Sequence, residues 1–147
     1  MFFIVLERPS CGSANLQSKY WEESNMPKVA DYKVLNENGA TLNNTGDTLT
    51  VNFELPPGAL LVDLAQRPFM TFSESASGAG PLVVSITLNG TSINTHTYNQ
   101  NPQMATRTVI INGSSFVQGQ NTLVFTLTSG GGNVTIKNVI THFQQEA

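Results

Sequence analysis

Strict alternation of apolar and polar residues is the feature that most constrains what this chain can fold into. Across residues 48–55 every second residue is apolar, and the residues between them are polar. A period of two places the two sets on opposite faces of a β-strand, so this segment predicts a strand with one buried face. Pro56-Pro57-Gly58 then ends the strand, because proline cannot donate to a strand ladder and glycine permits a turn.

The same pattern recurs between closely spaced turn residues along the rest of the chain. It predicts strands at 69–74, 82–88, 92–98, 106–111, 122–128 and 133–143, and loops at 75–81, 99–104 and 129–132. Asn89-Gly90 predicts a tight hairpin turn, since both of its positions require a positive φ. The parity of the apolar residues slips between Ile136 and Val139, which predicts a β-bulge near Lys137-Asn138.

About eight short strands separated by turns predict an all-β fold, a two-sheet antiparallel β-sandwich of jelly-roll type. A length of 147 residues fits one domain. We expect residues 31–147 to form the sandwich. Residues 1–30 are expected to be a poorly ordered N-terminal extension or a first-strand segment.

The low charge of the chain excludes several classes of function. Charged residues make up 12% of the sequence, the net charge is −3, and the seven Lys and Arg residues form no cluster. Nucleic-acid binding needs clustered cations to neutralise phosphates, so it is not expected. No apolar run approaches the 18 residues of a membrane span. A surface rich in Asn, Thr, Ser and Gln favours an extracellular protein or one on a cell or virion surface.

No recognisable signal peptide begins the chain, because residues 1–6 are apolar but lack a positive leading region and end at Glu7. The single cysteine, Cys11, cannot form an internal disulfide.

Residue patterns for catalysis or metal binding are not found. His96 and His142 lie in predicted strands without a recognisable nucleophile partner, and His142 is expected on a strand face. The acids between Thr41 and Lys137 are isolated, and we expect them on solvated strand faces or at turns. They are Asp47, Glu54, Asp63 and Glu74. Since no spacing typical of a zinc or calcium site occurs either, the chain is predicted not to be an enzyme and to carry no metal site.

Three stretches of the C-terminal half carry a family resemblance. They are VSITLNG at 84–90, FVQGQNTLVF at 116–125 and the closing segment at 133–143. Over about 60 residues of the C-terminal half, which include these stretches, the chain resembles the galactose-binding-domain-like jelly rolls that serve as sugar-binding modules of glycoside hydrolases and polysaccharide lyases. Gly119 allows a tight strand entry there, and Asn121 is expected to bond its own backbone in an Asx-type turn.

The resemblance implies a non-catalytic, lectin-like carbohydrate-binding module, either standing alone or cut from a larger enzyme. Related sandwiches often hold a structural calcium through backbone carbonyls. Asp47, in the segment Asn43-Asn44-Thr45-Gly46-Asp47, is therefore a candidate ligand, and a plain turn is the simpler interpretation of that segment.

The predicted ligand site is the segment at 96–107. It combines Tyr98 as an aromatic platform, Arg107 as a planar cation, His96, and the amides of Asn99, Gln100, Asn101 and Gln103. Sugar recognition uses such parts, with an aromatic face against C–H groups and with amides and arginine on the hydroxyls. The simpler interpretation is an ordinary polar loop with Tyr98 packed at its base.

A rival hypothesis is a structural or assembly protein, such as a homo-oligomeric surface component or a phage-fibre component. Val83, Val124 and Val139 fall on faces that the pattern predicts to be outward, and exposed apolar patches commonly mark interfaces. The chain has only four lysines to block sheet edges. This hypothesis predicts a dimer or trimer.

Overall fold

The structure, a computed structural model, describes residues 28–56, 59–60, 67–99 and 103–146. Its strands are β1 (Lys28–Asn36), β2 (Ala40–Leu42), β3 (Thr48–Glu54), β4 (Ala59–Leu60), β5 (Phe69–Leu88), β6 (Thr91–Tyr98), β7 (Ala105–Ile110) and β8 (Gln120–Glu146), with one 3-10 turn at Gly113–Ser115. The pairings among these strands are antiparallel. The predicted all-β class is confirmed.

Two long strands, β5 and β8, belong to both layers of the sandwich. Sheet A consists of β1, β2, β4 and β7 with residues 69–79 of β5 and 131–146 of β8. Sheet B consists of β3 and β6 with residues 82–88 of β5 and 120–126 of β8. The hydrogen-bonded strands are therefore continuous from one sheet to the other through β5 and β8. These two strands fold over so that the sheets stack as the predicted two-sheet sandwich.

Two of the predicted loops are wrong, because residues 75–81 and 129–132 continue β5 and β8. The two glycine-rich stretches lie opposite each other, with Gly78 paired to Gly132. A Cβ at Gly78 would lie 2.5 Å from the Gly131 carbonyl oxygen, so only glycine permits this close approach of the backbones. The pairing register shifts between Ala79 and Val83, where the ribbon passes from sheet A to sheet B.

The core lies between the sheets and is built by strand parity. Even-numbered residues of β5 are buried at 70–76 and again at 82–88, and odd-numbered residues of β8 are buried at 121–127. Phe72 of sheet A meets Phe125 of sheet B edge to face, with ring centroids 5.2 Å apart. Burying such a side chain stabilises the fold by about 1.5–3 kcal/mol, so these alternating residues hold the two layers together.

The predicted turn and bulge are both confirmed. Asn89 and Gly90 have φ values of 51° and 78°, as a tight hairpin turn requires. Asn138 has a φ of 51°, and the β5–β8 register shifts opposite it. The bulge turns the next residue, Val139, into the core, where it is fully buried. The expectation that Val139 points outward is therefore wrong.

Asn121 bonds the nearby backbone at the entry to β8, but its bonds reach back to Val117 and Gly119 and do not form the Asx-type turn that was expected. Its amide nitrogen donates to the carbonyl oxygens of Val117 and Gly119. Its amide oxygen accepts from the Val117 N–H and from the Asn89 side chain. All of its donors and acceptors are satisfied although the residue is fully buried.

The N-terminal segment before Lys28, with Cys11, lies outside the described residues, and the division at residues 1–30 and 31–147 stays a prediction. Within the described part of the chain, no helix has the length and apolar character needed to cross a membrane.

Candidate functional site

A polar cluster joins the two sheets at one edge of the sandwich. The edge strands there are β6 of sheet B and β7 of sheet A, and both pair with β5. Glu74 of β5 accepts a hydrogen bond from the Tyr98 hydroxyl at 2.5 Å and one from Arg107 Nε at 2.7 Å. Arg107 Nη2 forms a salt bridge with Glu74 Oε1 at 2.5 Å, and the same nitrogen lies 2.8 Å from His96 Nε2.

Glu74 is the member that sequence reasoning missed. The prediction of a solvated strand face is wrong for this residue, which is fully buried. Parity was the available signal, because Glu74 shares the face of Met70 and Phe72. A buried carboxylate needs partners, and Arg107 and Tyr98 supply them from the two edge strands.

The contacts determine the protonation states of the cluster. Arginine has no acceptor, so His96 Nε2 must accept from Arg107, which requires a neutral imidazole with its proton on Nδ1. Burial and the Arg107 charge hold the pKa of His96 below its ordinary value, against the opposing effect of Glu74. Burial and the bond to Glu74 raise the pKa of Tyr98, so its hydroxyl stays protonated and donates. The bond to Glu74 also raises the pKa of Arg107.

The expected aromatic platform at Tyr98 is wrong, because this residue is only 4% exposed and its ring lies in the core. The structure matches the simpler interpretation, in which Tyr98 packs at the base of a polar loop. His96 and Arg107 are partly exposed, and Asn99 and Gln103, on either side of the residues that the structure leaves undescribed, are exposed. Gln100 and Asn101 lie outside the described residues. The cluster is thus an inter-sheet bridge with a polar rim.

Asp47 closes the turn between β2 and β3 with its carboxylate. Its Oδ2 accepts hydrogen bonds from the backbone N–H groups of Asn43 and Asn44, at 2.8 and 3.0 Å. These bonds hold the pKa of Asp47 below its ordinary value. Among the described residues no group of three or more His, Cys, Asp or Glu could hold a metal ion. The turn accounts for Asp47 without a metal, and a structural calcium at this segment stays a prediction.

A row of large side chains crosses the outer face of sheet A, and sequence reasoning missed it. Tyr32, His142, Phe69 and Ile110 lie directly opposite one another on four adjacent strands. We call these four residues the outer row. Phe69 and His142 stack with centroids 4.4 Å apart, while Tyr32 and Ile110 are 63% and 65% exposed. His142 is on a strand face as predicted, and it is half-buried.

The strongly exposed residues of the outer row differ from the three valines that the sequence predicted to be outward, of which only Val139 is misplaced. Val83 and Val124 are half-buried, and Val139 is in the core. Parity could have identified the outer row, since Phe69 and Ile110 alternate with the buried residues Met70 and Val109.

Comparison with solved structures finds this fold in carbohydrate-binding modules. The CBM36-1 domain of a multidomain xylanase from the hindgut metagenome of Trinervitermes trinervoides is 11% identical, with a TM-score of 0.51, and the match covers 79% of this chain and 96% of that chain. A family 35 carbohydrate binding module from an environmental isolate is 16% identical, with a TM-score of 0.50 and coverages of 81% and 86%.

The same fold also occurs as a small part of a larger protein. Dimeric latent PorU from Porphyromonas gingivalis is 14% identical with a TM-score of 0.57, and the match covers 81% of this chain but 13% of that chain. No protein-family model and no curated protein matches the sequence. The chain has the fold of carbohydrate-binding modules, and the likeness extends well beyond the C-terminal half in which the sequence resemblance lies.

Proposed function

We propose that the protein is a non-catalytic carbohydrate-binding module. The observation that carries the proposal is coverage: the sandwich spans nearly the whole of two chains described as carbohydrate-binding modules. A fold alone hosts many functions, so the chemistry of the surface has to agree with it. A surface low in charge and rich in amides and hydroxyls suits a neutral, hydroxylated ligand, and we place the module outside the cell or on a surface.

The inter-sheet cluster supports a binding role over a catalytic one. A general acid or base must reach the substrate, whereas Glu74 is fully buried and bonded to Tyr98 and Arg107. His96 Nε2 lies against the Arg107 guanidinium. The exposed rim of this cluster, with Asn99, Gln103 and the partly exposed Arg107, stays our proposal for contacts to sugar hydroxyls.

The experiment is a glycan array followed by isothermal titration calorimetry with the best oligosaccharide. We expect dissociation constants on the order of 0.1–1 mM, about 4–5.5 kcal/mol of binding free energy. Heat-denatured protein is the control, since binding should require the folded sandwich. An array that is blank at millimolar sugar contradicts the proposal.

Self-association is a second candidate function, favoured by the exposed outer row. A second copy of the chain could cover Tyr32, Phe69 and Ile110, because exposed apolar patches commonly mark interfaces. Light scattering at high concentration should then give a multiple of 15.9 kDa. Ile110→Lys should dissociate the oligomer, and Thr50→Lys on sheet B is the matched control. A monomeric wild type excludes this candidate.

A further inference from the structure

The guanidinium of Arg107 is held at two of its three nitrogens. Nε and Nη2 lie 2.7 and 2.5 Å from Glu74 Oε1. Nη2 also donates to His96 Nε2 at 2.8 Å. The two acceptors lie on β5 and β6, and the arginine lies on β7. Contacts from two other strands therefore fix one orientation of this long side chain.

The third nitrogen, Nη1, has no acceptor among the residues that the structure describes. A guanidinium is planar and carries its donors in a fixed fork, so Nη1 points away from a carboxylate that holds Nε and Nη2. Glu74 is fully buried, whereas the Arg107 side chain is 32% exposed. Nη1 is therefore the donor that the cluster leaves for a molecule outside the protein.

Nη1 belongs to the rim for which we propose contacts to sugar hydroxyls. A sugar oxygen can accept from it, and a hydrogen bond with a charged donor is stronger than one between neutral groups. A donor that is already held in place also binds more tightly than a free one, because ordering a long side chain on binding costs conformational entropy. The affinity of the rim should therefore depend on the groups that orient Arg107.

Only a neutral imidazole can hold Nη2. Arginine has no acceptor, so His96 Nε2 must lack a proton to make this contact. A protonated imidazole places a second donor and a second positive charge against Nη2, and the repulsion breaks the contact.

The ionisable groups that face His96 in the described part of the chain are Arg107 on β7, Glu74 on β5 and Tyr98 on β6. Burial and the charge of Arg107 oppose its protonation, and the charge of Glu74 favours it, so the pKa of His96 lies below its ordinary value. The contact with Nη2 is then present at neutral pH and is lost as the pH falls through that lowered pKa.

We propose that His96 is the positioning residue of the rim, since its neutral imidazole and Glu74 together hold Arg107 so that Nη1 binds a sugar oxygen. The inference rests on the proposed function and names the residue that makes its site sensitive to pH. Sugar binding weakens when His96 takes up a proton, because the guanidinium loses one of the two contacts that orient it.

The test is calorimetry with the oligosaccharide that binds best among cellohexaose, xylohexaose and neoagarohexaose. At about pH 7.5, His96→Leu removes the acceptor and should weaken binding about fivefold. His96→Gln should bind within about twofold of the wild type, because its amide oxygen accepts from Nη2. Between about pH 7.5 and 5 the wild type should lose about fivefold in affinity, whereas His96→Gln, which does not titrate, should change by less than about twofold.

His142→Gln is the matched control. His142 is the other of the two histidines of the chain, and it stacks on Phe69 on the outer face of sheet A, away from the rim. This variant should keep the pH dependence of the wild type. Circular dichroism at both pH values verifies that each protein is folded during the titration, and His96→Gln still decides the question if His96→Leu does not fold.

The outcomes separate the positioning role from the function. Sugar binding that is equal at both pH values, or that falls equally in the wild type and His96→Gln, overturns the role of His96 and leaves the carbohydrate-binding function standing. A folded His96→Leu that binds as tightly as the wild type does the same. A pH dependence that disappears in His142→Gln instead assigns it to the other histidine. If no sugar binds at either pH, the proposed function and this inference are both contradicted.

Discussion

Replacing Glu74 by leucine tests whether the inter-sheet cluster holds the sandwich edge together. The wild-type carboxylate accepts from the Tyr98 hydroxyl at 2.5 Å and from Arg107 Nε at 2.7 Å. Leucine fills similar space but leaves both donors without their acceptor. The hydroxyl of Tyr98 is the more costly of the two, because that residue is only 4% exposed.

The structure sets the expected magnitude. An unsatisfied buried hydroxyl costs about 1–3 kcal/mol. Breaking a fully buried ion pair costs about 3–5 kcal/mol, but the Arg107 side chain is 32% exposed and water can solvate it once its partner is gone. We therefore expect Glu74→Leu to lower the free energy of unfolding by about 3 kcal/mol. For a domain of this size that corresponds to a fall in melting temperature of roughly 6–12 °C.

A triple variant supplies the decisive comparison. Glu74→Leu with Tyr98→Phe and Arg107→Met removes the carboxylate together with both of its donors. His96 loses the Arg107 donor, but it is partly exposed and water can take that place. Replacing a whole buried ion pair by apolar residues is often nearly neutral, and we expect stability within about 1 kcal/mol of the wild type. Urea denaturation measures both variants. A loss below about 1 kcal/mol in the single variant, or a triple variant no more stable than the single one, refutes the reasoning.

Three further predictions concern His96, Asn121 and the paired glycines. Since the pKa of His96 lies below its ordinary value of 6.5, the unfolded chain binds a proton at a pH where the folded chain does not. Stability should be fully present above pH 6.5 and fall as the pH drops through the lowered pKa. The midpoints of urea denaturation at about pH 7.5 and 5.5 measure this loss of stability. If His96→Gln loses as much stability between these two pH values as the wild type, the prediction is contradicted. Asn121→Ala removes the partners of buried backbone groups and should lower the free energy of unfolding, measured by urea denaturation, by about 3 kcal/mol. A loss below about 1 kcal/mol would show that water replaces the amide. Gly78→Ala should cost about 1–3 kcal/mol through its clash with the Gly131 carbonyl. Gly131→Ala, whose added Cβ meets nothing within 4 Å, is the control, and equal losses in the two variants would show that close approach is not the cause.

The sequence pattern predicted the strands and turns correctly where their cause lies in a few neighbouring residues. The alternation at 48–55 predicted β3, and Asn89-Gly90 predicted the hairpin between β5 and β6, because parity and positive φ are properties of a few neighbouring residues. The predicted backbone contact of Asn121 is also local, since its bonds reach no further than four residues back along the chain, apart from the one to Asn89, although they do not form the expected Asx-type turn.

Glycine-rich segments were misread because composition does not reveal what lies opposite. Taken one at a time, the stretches at 75–81 and 129–132 look like loops. Paired with each other, they are the places where two backbones approach too closely for side chains. That pairing joins residues more than fifty positions apart, and no local signal encodes it.

The sequence by itself determined the class of fold, the faces of the regularly alternating strands such as β3, and the Asn89-Gly90 turn, since each follows from periodicity and backbone sterics. Only the tertiary structure decided which polar residues meet. Glu74, Tyr98 and Arg107 come from three strands, and their contact depends on how the two sheets are stacked. An interaction across a sandwich is set by the packing of distant strands, so the candidate site became visible only once the sheets were in place.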